Sequence, residues 1–151
     1  MFWDLAKAFY TVNHKILFKK LEHYGIRGVT LEWFKNYLTD RMQQVSCNWV
    51  TSLFRDVKCG VPQGSNLGPL LFLLYINDLP NVCNRLKIIL FADYTNFLFA
   101  HESIQDSIEV VNNELILLTD WSRSNRLSLH VEKTSCIILH SPKNVDGLHN
   151  K

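Results

Sequence analysis

The sequence predicts an α+β fold in which helices pack on one face of an antiparallel sheet. The chain has 151 residues, 47% of them hydrophobic, which is enough for one compact domain with its own core. Strand-like and helical segments follow one another in the order β-α-α-β-β-α-β-β-α-β. Two pairs of neighbouring strand-like runs have the spacing of hairpins, so the predicted sheet is antiparallel.

The chain opens with a strand and a helix. Phe2–Leu5 is typical of the end of a short buried strand, in which Asp4 is the one charged residue. Asn13 can cap a helix over His14–Tyr24, and Gly25 provides its stop. The apolar residues of this helix form one stripe, which predicts that it packs against a core.

A second helix and a hairpin follow. Thr30 can cap a helix that continues through Leu38. The segments Gln43–Trp49 and Leu53–Lys58 alternate loosely around Val50–Ser52, which predicts a hairpin with its turn there.

The next element is a loop rich in glycine and proline, Gly60–Gly68. It leads into an apolar helix from about Leu70 to Asp78, and Pro80 ends that helix because proline cannot continue it. The lack of polar residues in the helix predicts that it is buried.

The last predicted elements are a second hairpin, a long helix and a strand. Leu86–Phe91 and Asn96–Ala100 are apolar, β-rich segments separated by Ala92–Thr95. An amphipathic helix is predicted from about Ile104 to Trp121, and Ser135–Leu139 closes the fold as a strand.

Composition and charge exclude several classes of protein. The cysteines form no CxxC pair, which predicts free thiols in a reducing compartment rather than a disulfide framework or a zinc site. The net charge of +2 does not by itself indicate a nucleic-acid binder, although residues 1–60 hold nine Lys and Arg against five Asp and Glu. The run Leu70–Ile76 is too short for a membrane span, and no signal peptide opens the chain. We expect an intracellular protein without a membrane partner, and the sequence does not decide between nucleus and cytoplasm.

Two features need more than packing to explain them. Asp4 and Asp93 each end an apolar strand-like run, where an unpaired carboxylate is expensive. The loop Gly60–Pro69 has three glycines and two prolines, which fix its path and let another group approach closely. Each feature alone is more often structural, since aspartates cap turns and such loops simply turn. Together they indicate a site.

Four motifs occur in order: DLAKAFYTVNHKIL (4–17), GVPQGSNLGPLLFLLYINDL (60–79), FADYTN (91–96) and LSLHVEKT (127–134). As a set they resemble the palm motifs of reverse transcriptases from non-LTR (LINE-type) retrotransposons, over roughly residues 2–142. The resemblance implies a polymerase palm-like fold over residues 1–142, with residues 143–151 as a frayed tail. It also implies RNA-directed DNA polymerase activity on an RNA template, a DNA primer and deoxynucleotides.

The resemblance assigns roles to individual residues. The family uses two magnesium ions, for which it implies the Asp4 and Asp93 carboxylates and the Leu5 carbonyl as ligands. Lys133 matches a lysine that protonates or neutralises the departing pyrophosphate. Phe9 matches the bulky residue that crowds a ribose 2′-hydroxyl. Residues matching the motif that contacts the template and the incoming base pair are Gly60, Gln63 and Gly64.

The chain departs from the family at the catalytic turn. The family has two adjacent aspartates there, and this chain has Asp93 followed by Tyr94. A phenol is protonated at neutral pH and is a poor ligand for magnesium. Tyr10 also replaces a usual aspartate, at a position that does not bind metal. We further expect the chain to lack the family's fingers and thumb regions, and we predict that this copy is catalytically inactive.

Three alternatives stay open at this point. Asp4 and Asp93 could still hold a metal ion and give weak activity. The chain could instead be a non-catalytic RNA-binding module, because aromatic side chains on a palm-like sheet can stack on bases. Its apolar helix could also leave the isolated chain without a stable fold. The sequence does not indicate an oligomeric state.

Overall fold

The computed structural model of the chain describes residues 1–91 and 94–139. Its strands are Phe2–Asp4 (β1), Met42–Gln43 (β2), Ser46–Cys47 (β3), Val50–Thr51 (β4), Arg55–Asp56 (β5), Lys87–Phe91 (β6) and Tyr94–Leu98 (β7). Its α-helices are Ala8–Thr11 (α1), His14–His23 (α2), Gly28–Leu38 (α3), Leu67–Ile76 (α4) and Ile104–Ser124 (α5). Short 3-10 turns lie at Leu79–Asn81 and Val131–Lys133. The predicted α+β class is confirmed.

The central sheet has three antiparallel strands in the order β1-β7-β6. Alternate residues of a strand point to opposite faces, and one row across this sheet is Trp3, Thr95 and Leu90. Trp3 and Thr95 are buried under the helices, whereas Tyr94 and Phe91 in the next row are exposed. Helices therefore cover one face of the sheet, as predicted.

Two apolar clusters hold the helices in place. The first joins α1, α2 and α4 around Leu17, Leu71 and Phe72, all fully buried. The second joins the sheet to α5, where Leu118 packs with Trp3 and Phe97. Each such side chain stabilises the fold by about 1.5–3 kcal/mol through removal of apolar surface from water.

The predicted helix after Asn13 is confirmed at both ends. The Asn13 side chain accepts a hydrogen bond of 3.2 Å from the Ile16 N–H, which satisfies one of the free donors at the start of α2. The helix ends at His23, and Gly25 follows with a φ of 89°. This exit is suited to glycine, because other residues rarely adopt a positive φ.

The predicted hairpin in the middle of the chain has its turn elsewhere. β2 pairs with β5 and β3 with β4, so two short ladders continue one another. The innermost turn is Asn48–Trp49, with φ values of 48° and 67°, and the prediction of a turn at Val50–Ser52 was wrong. Two consecutive residues of positive φ match the twist of a two-residue hairpin loop. Tryptophan gives no sequence signal for that conformation.

Two helices begin earlier than predicted. α3 starts at Gly28, and Arg27 takes the N-cap position without a side-chain hydrogen bond, so Thr30 is not the cap. α4 starts at Leu67, three residues before the predicted Leu70, because glycine and proline are tolerated in the first turn of a helix, where a missing N–H costs no hydrogen bond. It ends at Ile76, two residues before the predicted Asp78.

Two strand predictions also change. β7 begins at Tyr94 rather than Asn96. Ser135 forms an isolated bridge with Phe2 instead of opening a strand, so a strand over Ser135–Leu139 is wrong. Among the described residues, Ser135 bridges β1 at Phe2 alone, and no ladder extends over residues 136–139.

The predicted long helix is present as α5, Ile104–Ser124. α5 extends to Ser124, three residues beyond the predicted end, and carries its buried Leu118 on the side facing the sheet. Of the helices that the structure describes, none has the length and apolar character needed to cross a membrane. The predicted tail, residues 143–151, lies outside the described residues.

Cys83 differs chemically from the other cysteines. Burial, together with the neighbouring Glu114, raises the pKa of the Cys83 thiol to about 12, whereas Cys47, Cys59 and Cys136 are exposed. Because the thiolate is the nucleophile, iodoacetamide at pH 8 is expected to alkylate the three exposed cysteines and spare Cys83. Mass spectrometry of the native chain checks this, with a urea-unfolded sample as the control. Labelling of Cys83 as fast as the others would show that it is not buried.

Candidate functional site

Asp4 is a nearly buried carboxylate at the end of β1. Its side chain is 10% exposed, and its Oδ2 lies 3.7 Å from the Lys133 Nζ. Within the described part of the chain, no hydrogen bond reaches this carboxylate. The cation beside it among the described residues is the Lys133 ammonium, and the Lys133 side chain is 64% exposed. A buried charge with so little compensation is costly, so the position favours binding of a further cation.

Lys133 reaches Asp4 because two backbone segments are tied together. The His130 N–H donates to the Asp4 carbonyl over 2.9 Å, and the 3-10 turn Val131–Lys133 follows directly. The Thr134 hydroxyl donates to the His130 carbonyl over 3.0 Å and closes that turn. Two residues assigned to the site from sequence, 129 positions apart, are thus brought together.

Tyr94 stands directly across from Asp4. The two residues are partners in the register of β1 and β7, and opposed residues of an antiparallel pair share one face of the sheet. The α-helices of the described residues pack on the opposite face, and Tyr94 is 55% exposed on this one. Asp93 precedes it in the chain and lies outside the described residues.

Leu5 continues the strand beyond Asp4. Its side chain is buried, and it forms an isolated antiparallel bridge with Leu129. The hydrogen bonds of the bridge are made by its neighbours, the Asp4 carbonyl and the Ala6 N–H, which donates to Ser128 over 2.8 Å. The bridge therefore does not use the Leu5 carbonyl, the group that the resemblance assigns to a metal ion.

The glycine-rich loop packs against the backbone of α1. The Gly60 N–H donates to the Val12 carbonyl over 2.8 Å, and the Val61 N–H donates to the Phe9 carbonyl over 2.7 Å. A Cβ on Gly60 would lie 2.9 Å from the carbonyl oxygens of Phe9 and Tyr10, so no larger residue fits. The φ of Gly60 is 88°, which also favours glycine.

His14 closes the other side of this contact. Its Nε2 lies 2.7 Å from the Gly60 carbonyl in a buried setting. A carbonyl only accepts, so Nε2 carries the proton and donates. Both backbone polar groups of Gly60 are therefore satisfied within the chain, and what Gly60 gives the site is the path of the loop.

Gln63 and Gly64 lie on the exposed part of the same loop. The Tyr10 hydroxyl donates to Gln63 Oε1 over 2.6 Å, which joins the first motif to the second. Gly64 has a φ of 73° and open space around it. No signal in the sequence indicates this contact, because the two residues are 53 positions apart.

Phe9 precedes Tyr10 in α1. Its ring is half-buried and packs against Phe72 of α4 with 4.9 Å between ring centroids. The α4 residue is fully buried, so the position of the Phe9 ring is set by the core. A ring held in this way is suited to limit the size of a group that lies against it.

The described residues gather no cluster of three or more His, Cys, Asp or Glu side chains suited to a metal ion. Asp4 is the one carboxylate of the proposed metal site among them, since Asp93 lies outside this part of the chain. The structure thus brings together Asp4, Lys133 and Tyr94, and it places Gln63 beside Tyr10.

Comparison with known proteins agrees with the motifs. The family model for reverse transcriptase (RNA-dependent DNA polymerase) matches residues 1–148. The probable RNA-directed DNA polymerase from transposon BS of Drosophila melanogaster is 29% identical over 89% of this chain, and that match covers 16% of the relative. The probable RNA-directed DNA polymerase from transposon X-element and the RNA-directed DNA polymerase from mobile element jockey, both of Drosophila melanogaster, are each 27% identical. They match 89% and 87% of this chain, and 15% of their own length in both cases.

Proposed function

The chain belongs to the reverse transcriptase (RNA-dependent DNA polymerase) family, and we propose that it is the palm of an RNA-directed DNA polymerase that is catalytically silent in this copy. The non-LTR character predicted from the motifs is confirmed by the transposon relatives. The chain spans about one sixth of the length of those relatives. An RNA template, a DNA primer and deoxynucleotides are accordingly proposed partners.

The observation that carries the proposal is the Asp4 carboxylate, 10% exposed and without a hydrogen bond in the described part of the chain. Carboxylate and carbonyl oxygens are the ligands that Mg²⁺ prefers, which fits the Asp4 side chain and the Leu5 carbonyl. Together with Asp93 they would hold the magnesium ions that the family uses. When bound, magnesium would supply positive charge at the reacting phosphate and the attacking oxygen.

Three side chains of the chain would contact the other parts of the substrates. Lys133, whose side chain is 64% exposed, would leave Asp4 when a metal ion binds, and its ammonium would then neutralise charge on a departing pyrophosphate. The Phe9 ring would lie against the sugar of the nucleotide. Because Tyr10 occupies the Gln63 oxygen, Gln63 would present its amide N–H groups as donors to the base pair.

The proposed silence rests on Tyr94. This residue shares the uncovered sheet face with Asp4 and stands where the family has its second aspartate. A phenol is a poorer ligand for Mg²⁺ than a carboxylate, and Tyr94 stands directly across from Asp4 in the register of β1 and β7. A metal site in this chain would therefore have fewer anionic ligands than the family arrangement and would bind more weakly.

Metal binding at Asp4 is the test of the proposed site. Mn²⁺, which can replace Mg²⁺ and is visible by electron paramagnetic resonance, is titrated into the chain. Asp4→Asn is expected to lose most of the binding, because it removes the nearly buried charge. Lys133→Gln is expected to bind about fivefold more tightly, since a competing cation 3.7 Å away worth about 1 kcal/mol is gone.

Asp120→Asn is the matched control, because it removes an exposed carboxylate that lies in α5. It should bind Mn²⁺ like the unchanged chain. Equal binding by the unchanged chain and Asp4→Asn would remove Asp4 from the proposed metal site.

A further inference from the structure

A basic cleft lies outside the group of residues assigned to the proposed polymerase site. It has a volume of about 570 Å³ and opens between the first turn of α2 and the β2–β5 ladder. Its permanent charges come from six residues: Lys15, Arg41, Lys58, Arg126, Asp40 and Asp56. Four cations thus face two carboxylates, although the net charge of the whole chain is only +2.

Two of the four cations of the cleft, Lys15 and Lys58, have no ion-pair or hydrogen-bond partner among the described residues. Arg41 makes only a 3.5 Å contact with the Tyr37 carbonyl and lies over the ring of the same residue. Asp40 and Asp56 line the cleft without an ion pair to these cations. Unpaired like charges around one cavity repel each other, and an anion bound between them would relieve that repulsion.

The backbone connects this cleft to Asp4. Arg126 lies two residues before Ser128, whose carbonyl accepts the Ala6 N–H over 2.8 Å. Backbone dimensions then keep the Cα of Arg126 within roughly 13 Å of the Cα of Ala6. Lys15, in the first turn of α2, belongs to the same motif, residues 4–17, that begins at Asp4. One cation of the cleft is therefore held within a short backbone distance of the residues that follow Asp4.

We propose that this cleft binds the phosphodiester backbone of the nucleic acid on which the polymerase site acts. The choice of nucleic acid among polyanions rests on the proposed function. Lys15 and Lys58 contact phosphates without reading bases, so the binding is electrostatic, independent of sequence and weakened by salt. Phosphate groups suit an open cleft of spaced cations, since each contact needs one positive charge and little geometry.

Binding of a fluorescein-labelled single-stranded RNA of about 16 nucleotides tests the proposal. Fluorescence anisotropy is measured at several salt concentrations for the chain and for Lys15→Gln/Lys58→Gln. The double variant is expected to bind roughly fivefold to tenfold more weakly at low salt. The slope of log affinity against log salt should become shallower by about 1.4, because two contacts of about 0.7 each are lost.

Lys19→Gln/Lys87→Gln is the matched control. It removes the same charge from exposed lysines outside the cleft, and it should keep the salt slope of the unchanged chain. Asp40→Asn/Asp56→Asn should tighten RNA binding, because both carboxylates line the cleft. This gain cannot come from loss of folding.

The outcomes separate the cleft from the polymerase site. Equal loss of RNA binding in the two lysine pairs, or no loss in either, would overturn the cleft proposal while leaving Mn²⁺ binding at Asp4 as the test of the proposed function. Displacement of the RNA by polyglutamate of the same charge would also overturn it, because the cleft would then prefer acidic protein. If Mn²⁺ does not bind at Asp4, and Lys15→Gln/Lys58→Gln weakens RNA binding while the control pair does not, the proposed metal site is wrong. The cleft would then remain a nucleic-acid binding site.

Discussion

Tyr94→Asp is expected to raise the rate of template-primed deoxynucleotide incorporation by about a thousandfold in magnesium. The substitution puts a carboxylate on the uncovered face of the sheet, directly across from Asp4. If that ligand contributes about 4 kcal/mol to the stabilisation of charge in the transition state, the rate rises by three orders of magnitude. Incorporation is measured with an RNA template and a labelled DNA primer.

Two further variants separate the carboxylate from other effects of the change. Tyr94→Phe keeps the ring and removes the hydroxyl, so it should remain as inactive as the unchanged chain. Asp93→Asn in the Tyr94→Asp background should lose the gain. A rate for the unchanged chain equal to that of Tyr94→Asp would show that the tyrosine does not silence this copy.

Gly60→Ala is expected to lower the free energy of unfolding by about 3 kcal/mol or more. The new Cβ would lie 2.9 Å from the carbonyl oxygens of Phe9 and Tyr10, both of which are backbone atoms that cannot rotate away. The positive φ of 88° adds a conformational cost of about 1 kcal/mol for any residue other than glycine. Urea unfolding monitored by tryptophan fluorescence gives the free energy.

Gly64→Ala is a matched control for the same loop. Gly64 also has a positive φ, of 73°, but a Cβ there meets no atom within 4 Å. It should therefore show the conformational cost of about 1 kcal/mol without the clash. If Gly60→Ala and Gly64→Ala lower the free energy of unfolding equally, the close contact between Gly60 and the backbone of α1 is wrong. The position of Gln63 on the loop would then have another cause.

The sequence predicted those parts of the fold that depend on one residue or its immediate neighbours. Asn13 and Gly25 mark α2 because capping and a positive φ each depend on one residue. The turn at Asn48–Trp49 was missed because tryptophan has no preference for a positive φ, and the ladders around it impose that conformation. The predicted strand at Ser135 failed because a strand also requires a partner, and β1 offers it only one residue.

In the candidate site, too, single residues could be predicted from the sequence, whereas contacts between distant residues could not. The resemblance named Asp4, Lys133 and Tyr94, and the register of β1 with β7 places the first and the last of these opposite one another. The hydrogen bond between Tyr10 and Gln63 could not be predicted, since it depends on how the loop crosses α1. The cations of the basic cleft are likewise scattered from Lys15 to Arg126 in the sequence and meet only in the folded chain.

The most direct test of the proposed polymerase site is single-nucleotide extension by the Tyr94→Asp chain. An RNA template with a defined first base is annealed to a DNA primer, and each of the four deoxynucleotides is supplied alone with magnesium. We expect extension by the complementary deoxynucleotide only, and none when Asp4→Asn is added to Tyr94→Asp. Extension that ignores the template base, or that persists without the Asp4 carboxylate, would contradict an RNA-directed polymerase centred on Asp4.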